Sequence, residues 1–119
     1  MRICIDIDGT LCHLRKETEA YSNVVPIEGA VDTLKALNEK GYYIILCTAR
    51  HMKTCEGNLG KVIARQGLTL MQWLEKHDVV YDELWFGKPH ADLYIDDKGV
   101  RFTGCWKHMH NLIEALIKG

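Results

Sequence analysis

The order of segments along the chain predicts an α/β fold: a three-layer, Rossmann-like arrangement with a mostly parallel sheet and helices on both faces. Three observations carry that reading. Short apolar runs rich in β-branched residues alternate with segments whose apolar residues recur at helical spacing. Such alternation implies crossover connections between parallel strands. Polar side chains gather where each apolar run stops, and the carboxyl ends of strands are where open parallel sheets carry their active residues.

The elements follow in order. Residues 2–7 (RICIDI) read as a buried strand. Residues 8–27 mix Gly9, Asn23 and Pro26 with charged residues, a loop with room for a small hairpin. Ala30, Val31, Leu34 and Leu37 form a helical stripe that Gly41 terminates. YYIILCT (42–48) is a second buried strand. RHMKTCEGNLGK (50–61) reads as a loop leading into a helix over 68–79, with Leu70, Met71 and Leu74 inward. DELWFGK (82–88) holds a short third strand and ADLYIDDK (91–98) a fourth. CWKHMHNLIEALIKG (105–119) is a closing amphipathic helix.

The bulk properties bound the answer. A chain of 119 residues reads as one domain over 1–119, able to bury roughly two-thirds of its unfolded surface. The apolar fraction of 47% and charged fraction of 26% are ordinary for a globular protein. A net charge of −1 gives no global attraction to nucleic acid or to an anionic membrane. The five cysteines, Cys4, Cys12, Cys47, Cys55 and Cys105, are odd in number and form no CxxC pair, which reads as reduced thiols. Met1-Arg2 leads straight into the first strand, so no leader is expected. No apolar run approaches the ~18 residues a membrane span needs. A cytoplasmic protein is expected.

Four strand ends then supply the chemistry. The first ends in Asp6-Ile7-Asp8-Gly9-Thr10, the second in Thr48-Ala49-Arg50, the third in Gly87-Lys88-Pro89 and the fourth in Asp96-Asp97-Lys98. Parallel topology places all four on one rim. Period-two alternation points Asp6 and Asp8 to the same side. Four carboxylates on one rim repel one another unless neutralised, and a hard divalent cation does this well. Mg²⁺ takes a few carboxylate oxygens and keeps waters that a substrate phosphate can replace. A cation site with a spare oxygen nucleophile, plus donors for an anion, is what phosphoryl transfer requires.

D-x-D-G-T after the first strand, Thr48 after the second, Lys88, and the Asp96-Asp97 pair after an apolar run resemble the haloacid dehalogenase (HAD) superfamily of phosphohydrolases, over roughly residues 2–98. The resemblance implies that Asp6 is the nucleophile, forming an aspartyl-phosphate. Asp8 would protonate the leaving alcohol and then activate water. Gly9 would allow the tight turn beside the phosphate, and Thr10 would shape that turn or touch the phosphate. Thr48 and Lys88 would hold phosphoryl oxygens, with Lys88 also orienting Asp6. Ala49 and Arg50 complete the implied phosphate-binding set, Arg50 either binding phosphate or pairing with a rim acid. Mg²⁺ would be held by Asp6, Asp8, Asp96 and Asp97. The acid at position 8 favours a phosphatase or phosphotransferase over a dehalogenase acting on carbon.

Neither gap between motifs, 11–47 or 51–87, has room for the cap domain that larger relatives insert. A capless site is therefore expected, open to a large substrate or covered by a second copy in a homo-oligomer. TARHMKTCEGNLGK and WLEKHDVVYDELWFGKP are further similar to a small group of bacterial proteins described as capsular-polysaccharide biosynthesis phosphatases, which favours a sugar phosphate. A nucleotide or polynucleotide phosphatase is the alternative of the same fold. A receiver-like phospho-aspartate module orders its acids differently, and no catalytic position is replaced as a non-catalytic scaffold would have it. His13, His51 and His90 lie near rim loops. Cys105, His108 and His110 match no standard zinc spacing. Trp73 and Trp85 read as core or interface anchors.

Overall fold

The computed structural model describes residues 1–118. Residue 119, the expected last residue of the closing helix, lies outside the described residues. Three strands, β1 (Arg2–Asp6), β2 (Tyr43–Thr48) and β3 (Glu83–Phe86), form one parallel sheet in the order β1-β2-β3. Three helices, α1 (Ala30–Glu39), α2 (Leu59–Lys76) and α3 (Trp106–Lys118), complete the α/β fold. Among the described residues, no cap domain stands over the sheet's carboxyl ends.

Alternation decides which strand residues enter the core. Ile5 and Ile7 from the first strand run, with Ile44 and Leu46 from β2, are buried together with Leu34 and Leu37 of α1, Leu70 and Leu74 of α2, and Trp106 and Met109 of α3. All three helices thus share one cluster on one side of the sheet. The expectation of helices over both faces is met on that side only. The other side, bearing Cys4, Ile45, Cys47 and Trp85, borders a shallow cavity of about 360 Å³, and Trp85 is 59% exposed.

Local chemistry explains most boundaries. α1 starts after Gly29, at φ +85°, and Asp32 in its first turn suits the positive end of the helix dipole. The Gly41 N–H donates to the Asn38 carbonyl (2.9 Å) and the Tyr42 N–H to the Leu37 carbonyl (3.1 Å), closing the helix before β2. α2 begins nine residues earlier than the expected 68, because the Asn58 side chain accepts from the Lys61 N–H (3.1 Å) and caps it. The helix runs through Gly67: the buried stripe Val62, Leu70, Trp73, Leu74 outweighs the ~1 kcal/mol a mid-helix glycine costs. Between β1 and α1, the His13 N–H donates to the Val25 carbonyl and the Ile27 N–H to the Leu11 carbonyl, so the flap closes as the hairpin-like loop expected there.

The fourth strand does not form. Residues 91–98 are exposed and unpaired, with Leu93 and Ile95 at 75% and 92% exposure. Two local hydrogen bonds form there instead. The Tyr94 hydroxyl donates to the Pro89 carbonyl, and Asp96 Oδ1 accepts from the Lys98 N–H (2.7 Å) in an Asx turn. β1 is consequently an edge strand.

Truncating the shared core tests this account. Leu46→Ala is expected to lower the unfolding free energy by about 2–5 kcal/mol, whereas Trp85→Ala on the open face should change it by under about 1 kcal/mol. Urea midpoints of the two variants check the contrast, and similar losses at both positions would mean that the open face is covered.

Candidate active site

The β1–β2 register sets Asp6 opposite Cys47, and Ile7 continues the ladder by donating its N–H to the Cys47 carbonyl (3.0 Å). The chain then turns at once. The Ile7 carbonyl accepts from the N–H groups of Thr10 (3.2 Å), Leu11 (2.9 Å) and Cys12 (3.1 Å). Gly9 makes the turn at φ +86°, where an added Cβ would sit 3.2 Å from the Leu14 side chain. A residue with a side chain would meet both a strained backbone and that contact. Asp6 and Asp8 emerge on this turn, both partly buried.

Each carboxylate has its own partners. Asp6 Oδ1 receives the Lys88 ammonium (3.2 Å) and Oδ2 the Thr10 hydroxyl (3.3 Å). Asp8 Oδ1 receives the Arg50 guanidinium (2.7 Å) and Oδ2 the Thr48 hydroxyl (2.8 Å). Thr48 Oγ1 also accepts the Arg50 N–H (3.0 Å). The Lys88 N–H donates to the Thr48 carbonyl (3.1 Å), locking the end of β3 to the end of β2. Gly87, at φ +95°, supplies the bend just before it. The sequence-derived residues Asp6, Asp8, Gly9, Thr10, Thr48, Ala49, Arg50 and Lys88 therefore all belong to one rim.

Burial shapes the charges. It pushes the Asp6 carboxyl above the usual aspartate range, Asp8's charge adds to this, and Lys88 and Thr10 pull down without cancelling it. Burial alone would lower the Lys88 ammonium, but the charge and hydrogen bond of Asp6 raise it instead. An isolated ion pair would lower its carboxyl while raising its ammonium; both rise here because the carboxyl also faces Asp8 and loses water. Arg50, only 5% exposed, stacks on the Tyr21 ring at 4.1 Å, and Lys88 lies 4.3 Å from the Tyr94 ring centre.

Two placements bear on the expected roles. Thr48 is fully buried and gives its hydroxyl to Asp8, so it positions that acid rather than lying open to a phosphoryl oxygen. Asp96 and Asp97 do not line the pocket of about 460 Å³ that Asp6 and Asp8 share with Lys88. Asp96 spends an oxygen on its own turn, whose backbone N–H holds its carboxyl below the usual range.

The comparisons with known proteins fit this arrangement. The family of haloacid dehalogenase-like hydrolases matches residues 3–72, more than half of the chain. This chain belongs to that family. The crystal structure of an MCSG target from Vibrio cholerae is 34% identical, with a TM-score of 0.79, covering 97% of this chain and 98% of that one. A D,D-heptose 1,7-bisphosphate phosphatase from B. bronchiseptica, solved with magnesium and phosphate, shares the fold at 14% identity and a TM-score of 0.50, covering 95% of this chain and 63% of that one. No curated protein sequence matches.

The HAD-like hydrolase's donor set bears directly on Mg²⁺. Among the described residues, no three His, Cys, Asp or Glu side chains stand close enough together to hold a metal ion. Mg²⁺ demands near-octahedral oxygen coordination. The rim offers two carboxylates, each already ion-paired, and no third. Mg²⁺ is commonly held by one or two carboxylates, with waters and a substrate phosphate filling the rest of its shell, so Asp6 and Asp8 would be the residues to hold it here, beside the Lys88 and Arg50 that pair with them.

The structure also adds residues to those read from the sequence. Arg15 and Tyr21 from the flap, Lys53 from the loop after β2, and Tyr94 line the pocket of this HAD-like hydrolase, beside His51 and His90. His13 does not line it. Trp106, the first residue of α3, donates its indole N–H to the Thr10 carbonyl (2.8 Å) and pins the Gly9–Thr10 turn. No local pattern marks these positions, apart from the aromatic and basic character of the flap. Trp73 is a core anchor, with its indole N–H on the Val24 carbonyl (2.7 Å), while Trp85 is exposed and of the two expected roles keeps only that of an interface anchor.

Arg50→Met leaves Asp8 without its cation. Removing one partner of a buried pair costs about 3–5 kcal/mol, and the partial exposure of Asp8 reduces this to roughly 2–3 kcal/mol. Thr48→Val should cost about 1–2 kcal/mol for the lost hydrogen bonds. Chemical denaturation checks both values, and an unchanged Arg50→Met midpoint would show that the pair is not formed.

Proposed function

We propose that this HAD-like hydrolase is a Mg²⁺-dependent phosphatase acting on a phosphate monoester, a sugar phosphate or related biosynthetic intermediate, as a single capless domain. One observation carries the reading: Asp6 and Asp8 share one pocket, and each carboxylate is held by its own cation and hydroxyl. Such preorganisation is what an in-line phosphoryl transfer draws on, since positioning and charge stabilisation supply most of its catalysis.

The chain's residues divide the work as follows. A carboxylate oxygen of Asp6 attacks phosphorus while the ester P–O bond breaks, and Asp8 delivers a proton to the departing oxygen. Water, deprotonated by Asp8, then attacks the aspartyl-phosphate, whose P–O bond to Asp6 breaks to release phosphate. Lys88 neutralises charge beside Asp6 and orients it. Arg50 and Thr48 hold Asp8 in one rotamer through both steps, and Gly9 keeps the turn tight against the phosphoryl group.

Mg²⁺ would add positive charge where a partly buried Asp6 meets a second carboxylate. What supports it is the order of the four motifs, with Asp96 and Asp97 the further donors that the motif order assigns. The sugar-phosphate preference rests on the similarity of segments 48–61 and 73–89 to capsular-polysaccharide biosynthesis phosphatases.

Asp6→Asn should abolish turnover of a panel of sugar and nucleotide phosphates while the circular-dichroism spectrum and melting curve stay unchanged. Asp8→Asn should lower kcat by about 10²–10⁴-fold, the usual contribution of a general acid–base. Full activity in Asp6→Asn would remove the nucleophile assignment.

Exhaustive chelation should silence the wild-type chain, and added Mg²⁺ should restore it. Undiminished turnover after chelation would dismiss the cation.

A further inference from the structure

The charges of the pocket do not cancel. Its carboxylates are Asp6 and Asp8, and each is matched, by Lys88 and Arg50 respectively. Two further cations, Arg15 and Lys53, line the same pocket, and among the described residues neither forms an ion pair. A phosphoryl group at Asp6 is the business of Lys88. Arg15 and Lys53 are surplus to it.

Arg15 is also held in place. One of its terminal nitrogens donates to the carbonyls of Lys16 (3.3 Å), Glu17 (3.2 Å) and Glu19 (3.0 Å), and its guanidinium sits 4.8 Å from the centre of the Tyr21 ring. The same ring carries Arg50, which is anchored on Asp8. Tyr21 therefore ties the flap's arginine to the catalytic rim. The other guanidinium nitrogens of Arg15 make no hydrogen bond within the described residues. The carboxylates of Glu17 and Glu19 share the flap but do not line the pocket, and the Glu19 carboxylate is taken by the Lys16 N–H (3.2 Å).

The field at this end of the pocket is positive. Burial lowers the His51 imidazole below its ordinary range, and Arg65, Arg15 and Arg50 each lower it further. A guanidinium held in one orientation, with free N–H groups beside an unpaired lysine, suits a carboxylate or phosphate.

We propose that the pocket selects phosphate monoesters whose leaving group carries a second anionic group, bound by Arg15 together with Lys53. The inference rests on the phosphatase reading and narrows its substrate class. The cavity of about 460 Å³ accommodates such a compound at the scale of a sugar.

Matched pairs test it: fructose 1,6-bisphosphate against fructose 6-phosphate for a second phosphate, and 6-phosphogluconate against glucose 6-phosphate for a carboxylate. p-Nitrophenyl phosphate reports hydrolysis itself. The bis-anionic member of at least one pair should have the higher kcat/KM, by roughly tenfold or more for a charge-assisted guanidinium contact. Arg15→Ala should cut that ratio by about tenfold and Lys53→Ala by about threefold, with Arg15→Lys retaining part of it. The preference should shrink as salt is raised, since both cations are exposed. A preference in one pair alone identifies the anion. Turnover of p-nitrophenyl phosphate with ratios near one in both pairs, or ratios that Arg15→Ala and Lys53→Ala leave unmoved, overturns the proposal and leaves the phosphatase standing. No turnover of any of these esters overturns both.

Discussion

Two carboxylates one residue apart, on a rim only partly open to water, cannot stand without counter-charge, and the rest of the site follows from that constraint. Desolvating an uncompensated carboxylate costs several kcal/mol. Asp6 and Asp8 avoid this through groups that arrive from other strands: Thr48 and Arg50 from the end of β2, Lys88 from the end of β3. Only a parallel sheet brings those ends together. The register that pairs Asp6 with Cys47 and Thr48 with Phe86 is therefore as much a part of the site as the side chains. A slip of one residue would turn Thr48 to the other face and leave Asp8 short of a donor.

Two ties run outward from this rim. Trp106, at the start of the last helix, holds the Thr10 carbonyl while the Thr10 side chain holds Asp6. The core that buries the Trp106 ring thus reaches the candidate nucleophile through a single residue. On the other side, Arg50 carries the Tyr21 ring and Tyr21 carries Arg15, so the flap is fastened to Asp8 rather than hanging free. Among the described residues no cap stands above, and these aromatic and basic flap residues line the pocket directly.

Much of this was legible in the residues. Apolar, β-branched runs in 2–7 and 42–48 announced the buried strands, helical stripes announced α1 and α3, and the polar groups closing each strand pointed to one rim. Other features were not. Asn58 capping lies one residue before α2, yet Gly57, Gly60 and Gly67 read as a loop until Val62 and Leu70 are seen to share a buried face. The run ADLYI has the composition of a strand, but composition cannot say whether a free edge receives it or whether Tyr94 and Asp96 satisfy their neighbours first. Asp96 and Asp97, which the motif order assigns to the rim, follow that run and do not line the pocket of Asp6 and Asp8. Whether Thr48 touches substrate or supports Asp8 depends on how deep it lies, and depth is not written in a strand-end threonine.

By itself, the sequence determined the α/β class, the absence of room for a cap, and which residues would stand at the ends of the first three strands, because periodicity and turn chemistry act over a few neighbouring residues. Tertiary structure alone decided who pairs with whom: Lys88 with Asp6, Arg50 and Thr48 with Asp8, Trp106 with Thr10, and Arg15 with Tyr21. Those contacts join residues far apart in the chain, and their energies depend on burial and distance, which exist only once the strands have packed.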